Sequence, residues 1–215
     1  MTTETHHRKD LTDVEQAPNQ AAQIAIVYHS GFGHTRKQAE AVAEGAAAIA
    51  GAQVALIPVA EAEARLDEIN AADAVVFGSP TYMGSVSGPY KTWMDSTSKV
   101  WGQWNGKLAA GFTNSASQSG DKLNTLVQLS IFAAQHGMHW INLGLMPGNN
   151  NSQGSVADLN RLGSFLGAMA QSNADQGPEH GPIASDLETA RILGRRVAET
   201  AAQFVKGRQR ELVAA

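Results

Sequence analysis

Ile24-Ala25-Ile26-Val27-Tyr28 runs directly into His29-Ser30-Gly31-Phe32-Gly33-His34-Thr35. A short apolar run of this kind reads as a buried strand. The small, hydroxyl-bearing residues after it read as a loop, and the alanine-rich stretch that follows reads as a helix. A strand that turns through such a loop into a helix makes an anion site. The first N–H groups of a helix have no intrahelical partner, and the helix dipole favours negative charge there. Ser30 and Thr35 add hydroxyl donors, and the glycines let the backbone curl close to an anion. An ordinary strand-to-helix turn is the plainer reading of the same residues.

The loop does not match two common phosphate motifs. A Walker A loop needs Gly, four residues, then Gly-Lys-Ser/Thr, and the chain has none. The dinucleotide fingerprint needs a third glycine at position 36, where the chain has Arg36. A hydroxyl-rich loop closing on one terminal phosphate fits a mononucleotide such as FMN.

Outward from this loop, strands and helices alternate. Helix is expected over His34 to Ala50, stopped before Gly51, and strand over Gln53 to Ile57, ended by Pro58. A short helix follows over Ala60 to Asn70, then a third, wholly apolar strand, Ala74 to Gly78. Helix Pro89 to Ser96 opens with proline in its first turn. Strand Leu108 to Thr113, helix Asp121 to His136, strand Met138 to Asn142 and a long helix from Asp186 to Val205 complete the series. The pattern predicts an α/β fold: a doubly wound, five-stranded parallel sheet with helices on both faces. Ligands in such sheets bind outside the carboxyl ends of the strands. Three small polar loops fall there: Ser30 to Thr35, Ser79 to Ser85 and Asn114 to Gly120. A fourth, from about Leu143 to Pro182, is long enough to suggest a function.

At 215 residues with a net charge of −4, the chain is long enough for one domain with a real core. No basic stripe suggests nucleic acid. Cysteine is absent, which excludes disulfides and thiol chemistry, and the seven histidines show no metal-ligand spacing, so no metal site is expected. No apolar run approaches a membrane span. Residues 1–22 read as a disordered leader without the apolar centre of a signal peptide, 23–207 as the domain and 208–215 as a tail. A cytoplasmic location follows.

Four pieces occur in order: Tyr28-His29-Ser30-Gly31-Phe32-Gly33-His34-Thr35, Phe77-Gly78-Ser79-Pro80-Thr81-Tyr82-Met83-Gly84, Gly106-Lys107-Leu108-Ala109 and Gln135-His136-Gly137-Met138. On these the chain resembles the flavodoxin-like NAD(P)H:quinone oxidoreductases of the WrbA family. The resemblance implies a flavodoxin-like sheet of order 2-1-3-4-5, FMN as cofactor and NADH or NADPH as co-substrate. It implies FMN phosphate on Ser30, Gly31, Phe32, Gly33, His34 and Thr35. The flavin ring would be wrapped by Pro80, Thr81, Tyr82, Met83 and Gly84, with Asn114, Ser115, Ala116, Ser117 and Gly120 on its other side. His136 matches a family histidine close to the flavin and is the catalytic candidate; its plain reading is a helix C-cap. Phe32, Trp101 and His136 are the implied substrate contacts, and Trp101 and Trp104 read equally well as a packing anchor or a subunit contact.

The implied reaction is two-electron reduction of a quinone or related acceptor by ping-pong hydride transfer through FMN, in a homodimer or homotetramer. Two departures stand out. The segment Val59 to Ala72 is too short for the family's tetramer-supporting insertion, and Asn114 to Gly120 has fewer glycines than the family loop. The rival reading is a flavodoxin, an electron carrier that does not oxidise NAD(P)H. Such a carrier often has a strongly acidic docking face, which a net charge of −4 supports little.

Overall fold

The computed structural model describes residues 21–214. The expected leader therefore lies outside the described residues except at its end. There Ala22 is buried, and its carbonyl accepts the Gln53 N–H at 2.9 Å, so the domain begins no later than Ala22.

The strands are β1 (Gln23–Tyr28), β2 (Gln53–Pro58), β3 (Ala74–Tyr82), β4 (Ser85–Val86), β5 (Leu108–Ser115), β6 (His139–Trp140) and β7 (Ala168–Gln171). The helices are α1 (His34–Ala47), α2 (Leu66–Ala71), α3 (Gly88–Ser96), α4 (Lys122–Gln135) and α5 (Ala184–Ala214). The sheet order is β2-β1-β3-β5-β6, all parallel. This is the expected 2-1-3-4-5 order, with β5 and β6 as the fourth and fifth strands. β4 is a short antiparallel partner to the end of β3.

The edge beyond β5 departs from expectation. A continuous strand over Met138 to Asn142 was expected, but the ladder holds only Leu108 against His139 and Ala109 against Trp140. The chain then leaves the sheet and returns as β7, whose Ala168 to Gln171 pair with Phe112 to Ser115. The fifth position is thus filled in two pieces, with residues 141–167 inserted between them. Ala168-Met169-Ala170-Gln171 has no β-branched or aromatic residue, so nothing local marks it as strand.

Two more expectations are corrected. Ala60 to Asn70 is not one helix but a 3-10 turn at Val59–Glu61 followed by α2. Between them the Arg65 guanidinium bonds the Leu56 carbonyl at 3.2 Å, tying the turn back to β2. The expected tail beyond residue 207 is helix through Ala214, a continuation of α5.

The sheet buries both faces. On one, α1 and α5 cover Ile24, Ile26, Val76 and Phe112. They approach closely through Gly45 and Gly194: a Cβ on either would fall 1.9 Å from a carbonyl oxygen of the other helix. On the opposite face, α3 and α4 cover Val27, Val75 and Phe77 with an aromatic cluster of Trp93, Trp104 and Phe132. Trp104 is fully buried and donates its indole N–H to Asn70 at 2.7 Å, which settles it as a packing anchor.

Candidate functional site

The carboxyl ends of β1, β3, β5 and β7 converge on one cleft of about 400 Å³, within the size range of small-molecule sites. Ser30, Phe32, His34 and Thr35 line it from the first loop; Pro80, Thr81 and Tyr82 from the second; Asn114, Ser115 and Ala116 from the third. The three loops singled out in the sequence therefore meet.

The first loop is organised by Ser30. Its Oγ accepts the N–H groups of Gly33 and Arg36, at 3.0 and 3.1 Å. Gly33 caps α1 with φ +90°, and a Cβ there would strike the ring of Pro178. Gly31 lies under the Tyr82 hydroxyl, which a Cβ there would displace. The loop is consequently pinned open around the first turn of α1. That turn carries no acidic residue, and its remaining N–H groups have no intrahelical acceptor. Arg36 is turned along the helix and pairs with Glu40 at 2.9 Å, so it does not guard the loop. Burial lowers the pKa of His29 beside the loop, and its Nδ1 has no partner among the described residues.

The second and third loops supply walls. Phe32 and Tyr82 meet edge to face at 6.4 Å, and Phe32 is 75% exposed. Burial raises the Tyr82 pKa, with a smaller opposing effect from the Gly31 backbone. Met83 and Gly84 form the tight turn that joins β3 to β4, both at positive φ, with Met83 fully exposed. The Thr81 hydroxyl instead faces into the fold, 2.8 Å from both Thr113 and Thr125. Ser117 and Gly120 turn the third loop behind the wall; the Ser115 hydroxyl donates to the Ser117 carbonyl at 2.9 Å.

The fourth wall was not identified residue by residue in the sequence. Ser172, Ala174, Gln176 and Gly177 close the cleft from the segment after β7. The Asn114 amide donates to Ser172 Oγ at 3.0 Å, and the Gln176 carbonyl lies 2.9 Å from His34 Nε2. Only the length of the loop signalled a role.

Of the loop candidates, Gly31, Gly33, Met83, Gly84, Ser117 and Gly120 do not line the cleft, and His136 and Trp101 are not brought near it within one chain. His136 caps the far end of α4, whose 14 residues put it about 20 Å from Lys122 beside the third loop. Its ring is buried, stacked at 4.4 Å on Trp104, with Nε2 2.9 Å from the Thr97 hydroxyl and Nδ1 unpartnered among the described residues. Burial lowers its pKa. Trp101, 66% exposed, lies 6.3 Å from His136. Together they border a smaller pocket of about 190 Å³. A third, wider depression of about 1120 Å³ opens between α4 and residues 161–169, away from the first two loops.

Among the described residues no helix is long and apolar enough to cross a membrane, and no group of three or more potential metal-ligating side chains is present.

Residues 57–151 match the family model of NADPH-dependent FMN reductases. The chain is 42% identical to a Pseudomonas aeruginosa protein named flavodoxin FldP, over 85% of this chain and 98% of that one. It is 33% identical to an NAD(P)H dehydrogenase (quinone) of Paracoccus denitrificans, over 87% of this chain and 98% of its relative. A solved WrbA-like flavodoxin of Agrobacterium tumefaciens matches with a TM-score of 0.67 and 41% identity, covering 86% of this chain and 99% of that one.

Proposed function

The chain belongs to the WrbA-like family of FMN oxidoreductases with a flavodoxin-like fold, and from that premise we propose that it reduces quinones with NAD(P)H through FMN bound in this cleft. The residues fit the cofactor: the loop from Ser30 to Thr35 leaves first-turn N–H groups of α1 free, with no acidic side chain in that turn, and Ser30, Phe32, His34 and Thr35 line the cleft. When bound, FMN supplies the transfer of two electrons from a nicotinamide to a quinone.

The protein's own residues place and orient. First-turn N–H groups of α1, with the hydroxyls of Ser30 and Thr35, hold the phosphate. Tyr82 and the third loop flank the ring. Phe32 offers its exposed face to a planar co-substrate. The observation that carries the enzyme reading over the carrier reading is this apolar, open rim, formed by the exposed rings of Phe32 and Tyr82. One rim used in turn by donor and acceptor gives ping-pong kinetics.

His136 and Trp101 enter this reading as residues that serve the cleft of a neighbouring copy. Their support is the unpartnered Nδ1 of His136 and the exposure of Trp101, both remote from the chain's own cleft. A homodimer or homotetramer follows, and sedimentation as a fully active monomer contradicts it. The chemistry requires no nucleic acid, metal or membrane, and a cytoplasmic setting suits the donor.

The flavodoxin reading has one specific observation in its favour, the 42% identity to a protein named as one. Steady-state assays of FMN-loaded protein with NADH or NADPH and benzoquinone separate the two. Parallel double-reciprocal lines support the enzyme; no turnover with either donor supports the carrier.

A further inference from the structure

Lys122 is fully buried, and nothing in the reaction just described uses it. Its ammonium donates to Ser115 Oγ and to the Ser117 carbonyl, each at 2.7 Å. Ser115 lines the cleft. The clamp needs Gly120, where a Cβ would overlap the Ser115 hydroxyl. Lys122 is therefore fixed directly behind the third wall.

The surrounding charges do not cancel it. The charged groups that face it are Asp186 at the start of α5 and Arg161 from the inserted segment; Asp121 precedes it in the chain. Asp186 is already committed: Arg161 meets it with Nε at 2.8 Å and a terminal nitrogen at 2.7 Å, and the Gln171 N–H donates to it at 2.9 Å. Arg161 and Asp186 are both buried, with 5% and 2% of their side chains exposed. The three groups together leave one positive charge behind the wall, shielded from solvent although Lys122 and Arg161 border the wide depression beside α4. A buried cation without its own carboxylate is costly, so an anion arriving on the other side of the wall gains from it.

We propose that Lys122 is a positioning residue that sets the redox balance of the cleft: clamped to Ser115 and Ser117, its charge favours the reduced, anionic form of the bound flavin over the oxidised form. The inference rests on FMN occupying this cleft. Desolvation by burial lowers the Lys122 pKa to about 8, so the charge is present at neutral pH and is withdrawn above it.

The test is anaerobic potentiometry of FMN-loaded wild type, Lys122→Met and Lys122→Arg between pH 6 and 10, alongside titration with oxidised FMN. At pH 7 the Met variant is expected to bind oxidised FMN as the wild type does and reduced FMN about tenfold more weakly, the size of effect of one unit charge behind a protein wall. Tenfold corresponds to about 30 mV for a two-electron couple. The difference shrinks above pH 9, and Lys122→Arg restores the neutral-pH value. Wild type alone also decides: its potential falls more steeply with pH above about 8, where reduction draws an extra proton onto the amine. Equal potentials in wild type and Lys122→Met at pH 7, or a wild-type profile that runs straight through pH 8, overturn the inference while FMN binding stands. Failure of the wild-type protein to bind FMN overturns the proposed function, and this inference with it.

Discussion

Ser30→Ala separates two roles that one oxygen combines. The Ser30 hydroxyl accepts two backbone N–H groups at the start of α1, at 3.0 and 3.1 Å. Its own proton is left to reach a phosphate. Losing the acceptor costs what a missing N-terminal cap costs, about 1 kcal/mol, which lowers Tm by roughly 2–4 °C in a chain of this size. Losing the donor removes a hydrogen bond to a charged group, about 1.5–3 kcal/mol. At 1.4 kcal/mol per tenfold, that raises the FMN Kd by roughly 10- to 150-fold. Fluorescence titration with FMN and with riboflavin distinguishes the roles, because riboflavin lacks the phosphate. Affinity for FMN should fall while affinity for riboflavin changes little more than the loosened loop requires. A lowered Tm with unchanged FMN affinity refutes the placement of the phosphate and leaves Ser30 as a cap alone.

Phe32→Ala should raise the KM for NAD(P)H severalfold while FMN stays bound, because the ring is 75% exposed at the cleft and meets Tyr82 edge to face; steady-state kinetics on the loaded variant checks this, and an unchanged KM removes Phe32 from the donor site. Arg161→Met leaves buried Asp186 without its hydrogen-bonded cation and with only Lys122 facing it, which should cost roughly 3 kcal/mol and lower Tm by about 10 °C in calorimetry. Acid should destabilise the fold through His29 and His136. Burial lowers both pKa values from 6.5, so the unfolded chain binds these protons more tightly. Stability is then fully present above pH 6.5 and declines as pH falls below it; His136→Leu should flatten the decline in denaturant titrations across pH 5–7.

The parts of the fold that were legible in the sequence are those whose signals are local. Ile24 to Tyr28 and Ala74 to Gly78 are apolar runs at the centre of the sheet, and both are strand with every residue of the run buried. The loops after them carry the glycine, proline and hydroxyl residues that a tight approach to a ligand needs, and they meet where the topology puts strand ends. The split of the fifth strand was hidden because Ala168 to Gln171 is strand only through its partner β5, not through its own composition. Gln176 and Ser172 were hidden because a loop residue becomes a wall only when tertiary contacts to His34 and Asn114 hold it. His136 shows the opposite limit. Its motif was readable, but α4 carries it to the far end of the sheet from the cleft of its own chain. Burial of a lysine is also invisible locally: Lys122 sits in a Ser-Gly-Asp-Lys turn that reads as solvated surface.

The central claim is tested most directly by loading the protein with FMN, removing oxygen, adding NADH or NADPH in turn, and following the flavin absorbance at about 450 nm, a band that belongs to the cofactor. Rapid bleaching with at least one nucleotide is the predicted result and establishes a nicotinamide-dependent reductase. Bound flavin that stays oxidised with both nucleotides contradicts the account and makes the chain an electron carrier.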